Sequence, residues 1–175
     1  MKKVIIFIAS ILVVILVYKD NMNNNVKIPD TSIRFRVLAN SNSPKDQKIK
    51  ELIRDKLQEE LYNSLKDTKT IDEARKKIKG EIPNYKKIID NEMKNINYSY
   101  NIDYGLHEFP EKIYKGIKYD EGLYESLLVT LGEGKGDNWW CVLFPPLCLL
   151  EAEEHVDDSE IEYKSFVKEL IKKYF

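Results

Sequence analysis

Histidine and cysteine are scarce in this chain, two of each among 175 residues. That leaves little material for acid–base catalysis or for a metal centre of thiolate and imidazole ligands. An excess of positive charge is also missing: 28 Lys and Arg stand against 29 Asp and Glu, for a formal net charge of -1. A basic surface for nucleic acid is therefore not signalled, and neither a cofactor nor a metal is expected. Long hydrophobic runs are absent with one exception, at the start. Val4 to Val17 is apolar apart from Ser10. A helix of that length spans about 21 Å, short of the roughly 30 Å hydrocarbon core of a bilayer.

Behind Met1-Lys2-Lys3, this run reads as a signal peptide or signal anchor over residues 1–18, and it would attach the chain to a membrane. A small-x-small cleavage site is lacking after Val17, which favours the anchor. The two lysines hold that end in the cytoplasm, so the remainder faces outward. Residues 19–30 are polar and rich in asparagine and read as a flexible linker. Residues 31–150 carry the patterns of one extracytoplasmic domain, and 151–175 those of an acidic linker followed by an amphipathic helix.

The domain alternates between two periodicities. Ile33, Phe35 and Val37 share one side of a strand, with Arg34 and Arg36 on the other. Ser43 then suits a helix N-cap, with Pro44 at the first helical position. Ile49, Leu52, Ile53, Leu57, Leu61 and Leu65 form the inner stripe of a helix over 44–65. Thr70-Ile71-Asp72-Glu73 is a capping box. Gly80 and Pro83 are expected to interrupt the helix it starts, with a further helix from Pro83 to about Asn95. Strands are expected over 98–106, 127–133 and 140–144, the last two joined by a hairpin loop at 134–138. Pro145-Pro146 must end the last strand, because neither residue can donate to a ladder. Ser159 and Glu162 start a final helix carrying Tyr163, Phe166, Val167, Leu170, Ile171 and Tyr174 at helical spacing. Seven acids and no lysine or arginine lie between Glu151 and Glu162. The expected fold is α+β, a small mostly antiparallel sheet with helices packed on one face.

The stretch with the most chemistry is LGEGKGDNWWCVLFPPLC, Leu131 to Cys148. Its glycines at 132, 134 and 136 do not form a phosphate loop, because a strand rather than a helix follows. Cys141 could serve as a nucleophile with His107 as base and Glu133 or Asp137 to orient it, and Cys141, Cys148, His107 and His155 could bind zinc. Neither spacing favours such chemistry, so no catalytic residue is assigned. The two cysteines are left as a disulfide across the Pro-Pro turn or as buried thiols. Trp139 and Trp140 must point to opposite sides of a strand. If one is exposed, it is a plausible anchor for a protein partner. The candidate partner-binding residues are Gly132, Glu133, Gly134, Lys135, Gly136, Asp137, Asn138, Trp139 and Trp140.

The motif GEGKG-x-NWWCVLFPPLC resembles the stage II sporulation protein R family. So does IRFRVLANSNSPKDQKIK near the start of the domain, and so does Phe109-Pro110 ahead of the turn at Tyr114-Lys115-Gly116. The resemblance runs from about Ile33 to Leu149. In place of the family's Pro-Ala-Gly-x-Tyr-Glu-Ala-like stretch, this chain has Tyr119-Asp120-Glu121-Gly122-Leu123-Tyr124-Glu125-Ser126. The resemblance implies a signalling protein rather than an enzyme. Such a protein is made in the forespore and exported to the space between forespore and mother cell. There it triggers a membrane-embedded aspartic protease that removes the pro-sequence of pro-sigma-E. The rival expectations are an exported cell-wall hydrolase using Cys141 and a cell-wall-binding module using exposed aromatic residues.

Overall fold

The structure is a computed structural model and describes residues 10–12, 26, 28–150 and 160–175. Most of the signal or anchor segment, most of the 19–30 linker, the acidic stretch 151–159, the Ser159 cap and His155 lie outside the described residues. Among the described residues, no helix is long and apolar enough to cross a membrane.

Strand β1 (Ile33–Leu38) is followed by helices α1 (Pro44–Leu65) and α2 (Ile71–Glu92). Then come β2 (Tyr100–Phe109), the two-stranded hairpin β3 (Lys112–Tyr114) and β4 (Ile117–Tyr119), β5 (Gly122–Leu131) and β6 (Asn138–Phe144). The short α3 (Leu147–Leu150) and the terminal α4 (Glu160–Tyr174) close the chain. Ser43 caps α1, its hydroxyl accepting from the Asp46 N–H at 3.1 Å. Ile53, Leu57, Leu61 and Leu65 form the fully covered stripe of α1. Leu52, one position off that row, is exposed. Thr70 and Glu73 complete their reciprocal cap on α2.

α2 is one helix, not the two expected, and Pro83 sits inside it. The missing proline N–H removes one helical bond. The buried row Ala74, Ile78, Tyr85, Ile89 nevertheless stays in phase on both sides of Pro83, so packing against the sheet outweighs the local penalty.

The four-stranded sheet has the order β2-β5-β1-β6. β1 runs parallel to β5 and antiparallel to β6, and β2 runs antiparallel to β5. The sheet is therefore mixed, which corrects the antiparallel expectation. The reason is the position of β1, which lies between β5 and β6. Those two strands do not pair, and residues 132–137 are not a hairpin loop. They carry the chain across the end of β1.

Helices α1 and α2 cover the sheet face that carries Ile33, Phe35, Val37, Leu127 and Val129. The expectation that helices pack on one face holds for these two, whose cluster Leu149 of α3 joins, but not for α4. Tyr163, Val167 and Leu170 of α4 join Trp140, Val142, Tyr124 and Phe109 on the opposite face. Val26 and Ile28 are buried in that second cluster as well, so packing reaches back ahead of Thr31.

Candidate functional site

Where β1 ends, Ala39-Asn40-Ser41-Asn42-Ser43 leads into α1. Asp46, in the first turn of that helix, gathers this turn around its carboxylate. It accepts from the Ser41 hydroxyl at 2.6 Å, the Asn40 side-chain amide at 2.8 Å and the Tyr98 hydroxyl at 3.0 Å. These donors, Ser41 and then Asn40 foremost, hold the Asp46 carboxyl below the usual aspartate range. Burial, followed by the bond to Asp46, pushes Tyr98 up to about 12. A carboxylate in the first helical turn also suits the helix dipole.

The glycine-rich segment lies on this turn. The Gly136 N–H donates to the Ala39 carbonyl at 2.9 Å and the Lys135 N–H to the Asn40 carbonyl at 3.2 Å. The Glu133 N–H donates to Asn40 Oδ1 at 3.0 Å and the Asp137 N–H to Asn42 Oδ1 at 2.6 Å. Lys50 Nζ reaches the Asp137 carbonyl at 3.3 Å and Gln47 Oε1 at 2.6 Å. Two sequence motifs some ninety residues apart thus form one hydrogen-bonded platform at the end of the sheet. Glycine is required at two of its points. Gly132 has φ +54, and a Cβ there would overlap the Asn40 side chain; a Cβ at Gly136 would overlap the Ser41 carbonyl.

The platform turns Glu133, Lys135, Asp137 and Asn138 outward. Glu133 and Lys135 pair with each other at 2.7 Å, each favouring the other's charged form. In β6 the two tryptophans part as the strand geometry demands. Trp140 is 7% exposed and packs edge-on against Phe109 and Tyr119, both at 5.4 Å between ring centres. Trp139 is half-buried, with its ring 5.7 Å from Phe35 and the Arg54 guanidinium 5.5 Å away. Of the pair, Trp139 is the one that reaches solvent beside the platform.

Cys141 and Cys148 are joined as a disulfide, with Cα atoms 5.8 Å apart across the Pro145-Pro146 turn. The Cys141–His107 dyad does not form. Cys141 pairs with Phe35 on the helix-covered face at one edge of the sheet. His107 pairs with Tyr124 on the opposite face at the other edge. There His107 Nδ1 lies 2.7 Å from Ser126 Oγ and Nε2 lies 3.0 Å from Asp103 Oδ2. Ser126 is fully buried, which closes it to a substrate. Among the described residues, no group of His, Cys, Asp and Glu is arranged to hold a metal.

Asn40, Asn42, Asp46, Gln47, Lys50 and Tyr98 belong to this site and were not among the residues expected there, although all but Tyr98 lie within the motif IRFRVLANSNSPKDQKIK. A signal was present: Asp46 and Lys50 extend the buried stripe of α1 beyond Ile53, and polar residues in a buried row need partners.

The domain falls among sporulation proteins. The chain belongs to the stage II sporulation protein R family, whose model matches residues 29–154. It is 43% identical over 155 residues to stage II sporulation protein R of Bacillus subtilis (strain 168), an alignment covering 85% of this chain and 69% of that one. No solved structure matches significantly.

Proposed function

We propose that this protein is an exported sporulation signal that acts by binding. Its target would be a membrane-embedded aspartic protease, which it switches on so that pro-sigma-E is processed in the mother cell. On this reading the chain is made in the forespore and works in the intermembrane space, secreted or held by its N-terminal segment. The supporting observation is the union of the Asn40–Ser43 turn with the Gly132–Asn138 crossing, fixed beneath and polar above, beside a half-exposed tryptophan. Such a surface is preorganised for a partner, so little ordering entropy is lost on contact. Activation follows if the surface binds the protease's active arrangement more tightly than its inactive one.

The hydrolase reading is weakened because Cys141 is held in a disulfide and lies far from His107. The test is co-expression of the candidate protease and a pro-sigma substrate, with and without this chain. Cleavage should require the chain. Trp139→Ala should weaken binding roughly 30-fold, the loss typical of an interface anchor, and reduce processing in proportion. A Trp139→Ala protein that folds, is exported and activates processing in full would refute the proposed surface.

A further inference from the structure

β2 is the edge strand opposite β6, and among the described residues its outer side pairs with no other strand. An open edge is a template for another chain, and proteins blunt it with lysine, proline, a bulge, a short strand or a cover. β2 carries none of these devices. It is ten residues long, YNIDYGLHEF, without lysine, arginine or proline. Its register with β5 runs unbroken from Tyr100–Leu131 to Phe109–Gly122. Asn101 and Asp103 are exposed on one face of it, Leu106 and Glu108 on the other, and Leu106 is 69% exposed. At the other edge of the sheet, β6 has seven residues and runs straight into Pro145-Pro146.

The sequence of β2 is also complementary to itself. Two copies of one strand, paired antiparallel about a two-fold axis, set residues of the same face opposite each other. With Gly105 on the axis, Asp103 of each copy faces His107 of the other, and Tyr104 of each faces Leu106 of the other. A carboxylate across from an imidazole and an aromatic ring across from a leucine are stabilising cross-strand pairs. The neighbouring registers do worse. Asp103 or His107 on the axis sets like against like. Leu106 on the axis sets Asp103 against Phe109, and Tyr104 on the axis sets Asp103 against Gly105. Within one chain, Asp103 Oδ2 already lies 3.0 Å from His107 Nε2. The bond passes over Gly105, where a Cβ would stand 3.4 Å from Asp103 Oδ2 and 4.0 Å from His107 Cε1. Two copies would therefore bring two acids and two imidazoles together in alternation, each acid flanked only by imidazoles.

We propose that two copies of this chain pair through β2, antiparallel about Gly105, and so join their four-stranded sheets into one. The inference does not depend on the docking reading above. The platform lies at the Tyr100 end of β2, where the Gly132 N–H donates to the Ser99 carbonyl at 2.8 Å. The dimer would thus carry its two platforms at opposite ends of the seam.

The test measures the mass of the full-length chain in detergent micelles by sedimentation, corrected for bound detergent. Mass should rise from one chain to two between about 1 and 300 µM, the span of a micromolar affinity. Leu106→Lys places a charge on the exposed edge, and should hold the chain single throughout that range without changing the melting temperature. Cross-linking fixes the register. Under mild oxidation Gly105→Cys should link to its own copy. Asp103→Cys should not, because the two copies of that position stand about 13 Å apart along the strands, beyond disulfide reach. A single chain at every concentration, a dimer that Leu106→Lys leaves intact, or a cross-link through Asp103→Cys in place of Gly105→Cys would overturn the proposal. If the chain stays single while Leu106→Lys loses processing, the edge takes the strand of a different protein and self-pairing falls.

Discussion

One face of the sheet is roofed by two long helices and the other by separate pieces. Under α1 and α2, the strands present mostly aliphatic side chains. Ile33, Val37, Leu127 and Val129 meet Ile53, Leu57, Ile78 and Ile89, all fully buried. On the opposite face the same strands present Arg34, Tyr124, Trp140 and Val142. Their cover is the β3–β4 hairpin, Val26, Ile28 and α4. Contacts there are directional: ring edges meet ring faces, and the Arg34 guanidinium sits 3.3 Å from the ring centre of Tyr124. Aliphatic burial is non-directional and stabilises in proportion to area. A buried cation with no ion-pair partner among the described residues is costly. The first face is what a stable fold needs, whereas the second keeps a group that stability alone does not explain.

The largest expected effect lies on the helical face. Leu57→Ala should cost about 2–5 kcal/mol, through lost burial and the void left behind, read as a lower midpoint in urea unfolding. Loss of both tryptophan signals in one transition would show that the two faces unfold together. A cost below about 1 kcal/mol would mean that α1 is replaceable cover, and the contrast between the faces would break.

Arg34→Met should do much less. The guanidinium gains about 0.5–2 kcal/mol from each well-placed ring. Against this stand the desolvation of the charge, several kcal/mol, and two buried donors without partners, at about 1–3 kcal/mol each. Methionine retains the packing. The expected change is within about 1 kcal/mol of zero, or stabilising, in the same unfolding measurement. A loss of 3 kcal/mol or more, the size expected for a broken buried ion pair, would show that Arg34 is a structural keystone and that its face is no different in kind from the other.

The helical face was the legible one. Spacing alone identified Ile53, Leu57, Leu61 and Leu65, the Ser43 cap and the Thr70–Glu73 box, because each is a local pattern with a local cause. The sheet order was not legible. No residue in β1 announces that it will insert between β5 and β6, and alternation gives the face of a strand without naming its neighbours. The same gap led residues 134–138, most of them part of the crossing, to be read as a hairpin loop. Pro83 misled for the opposite reason: its local penalty is real, but Tyr85 and Ile89 bury enough to override it. The tryptophans fall between these cases. Their opposite directions follow from strand geometry, whereas which one stays exposed depends on α4 and the β3–β4 hairpin.

The smallest effect is confined to the platform and turns on pH. Asp46 titrates below the usual aspartate value because Ser41, Asn40, Tyr98 and Ser43 donate to it. A carboxyl whose folded pKa is depressed contributes stability above its unfolded value, about 3.9, and that contribution is lost as pH falls through the folded value. The Asn40 side-chain amide resonances should therefore stay fixed from neutral pH downward and move with one inflection below about pH 4. The Leu57 methyl signals, on the helical face, should not follow them. Asp46→Asn should remove the inflection and loosen the Gly136 amide, since Asn40 loses the charged acceptor that holds its side chain under the crossing strand. An inflection at or above the ordinary aspartate value would mean that the turn does not grip Asp46. The platform would then be no more preorganised than a common surface loop.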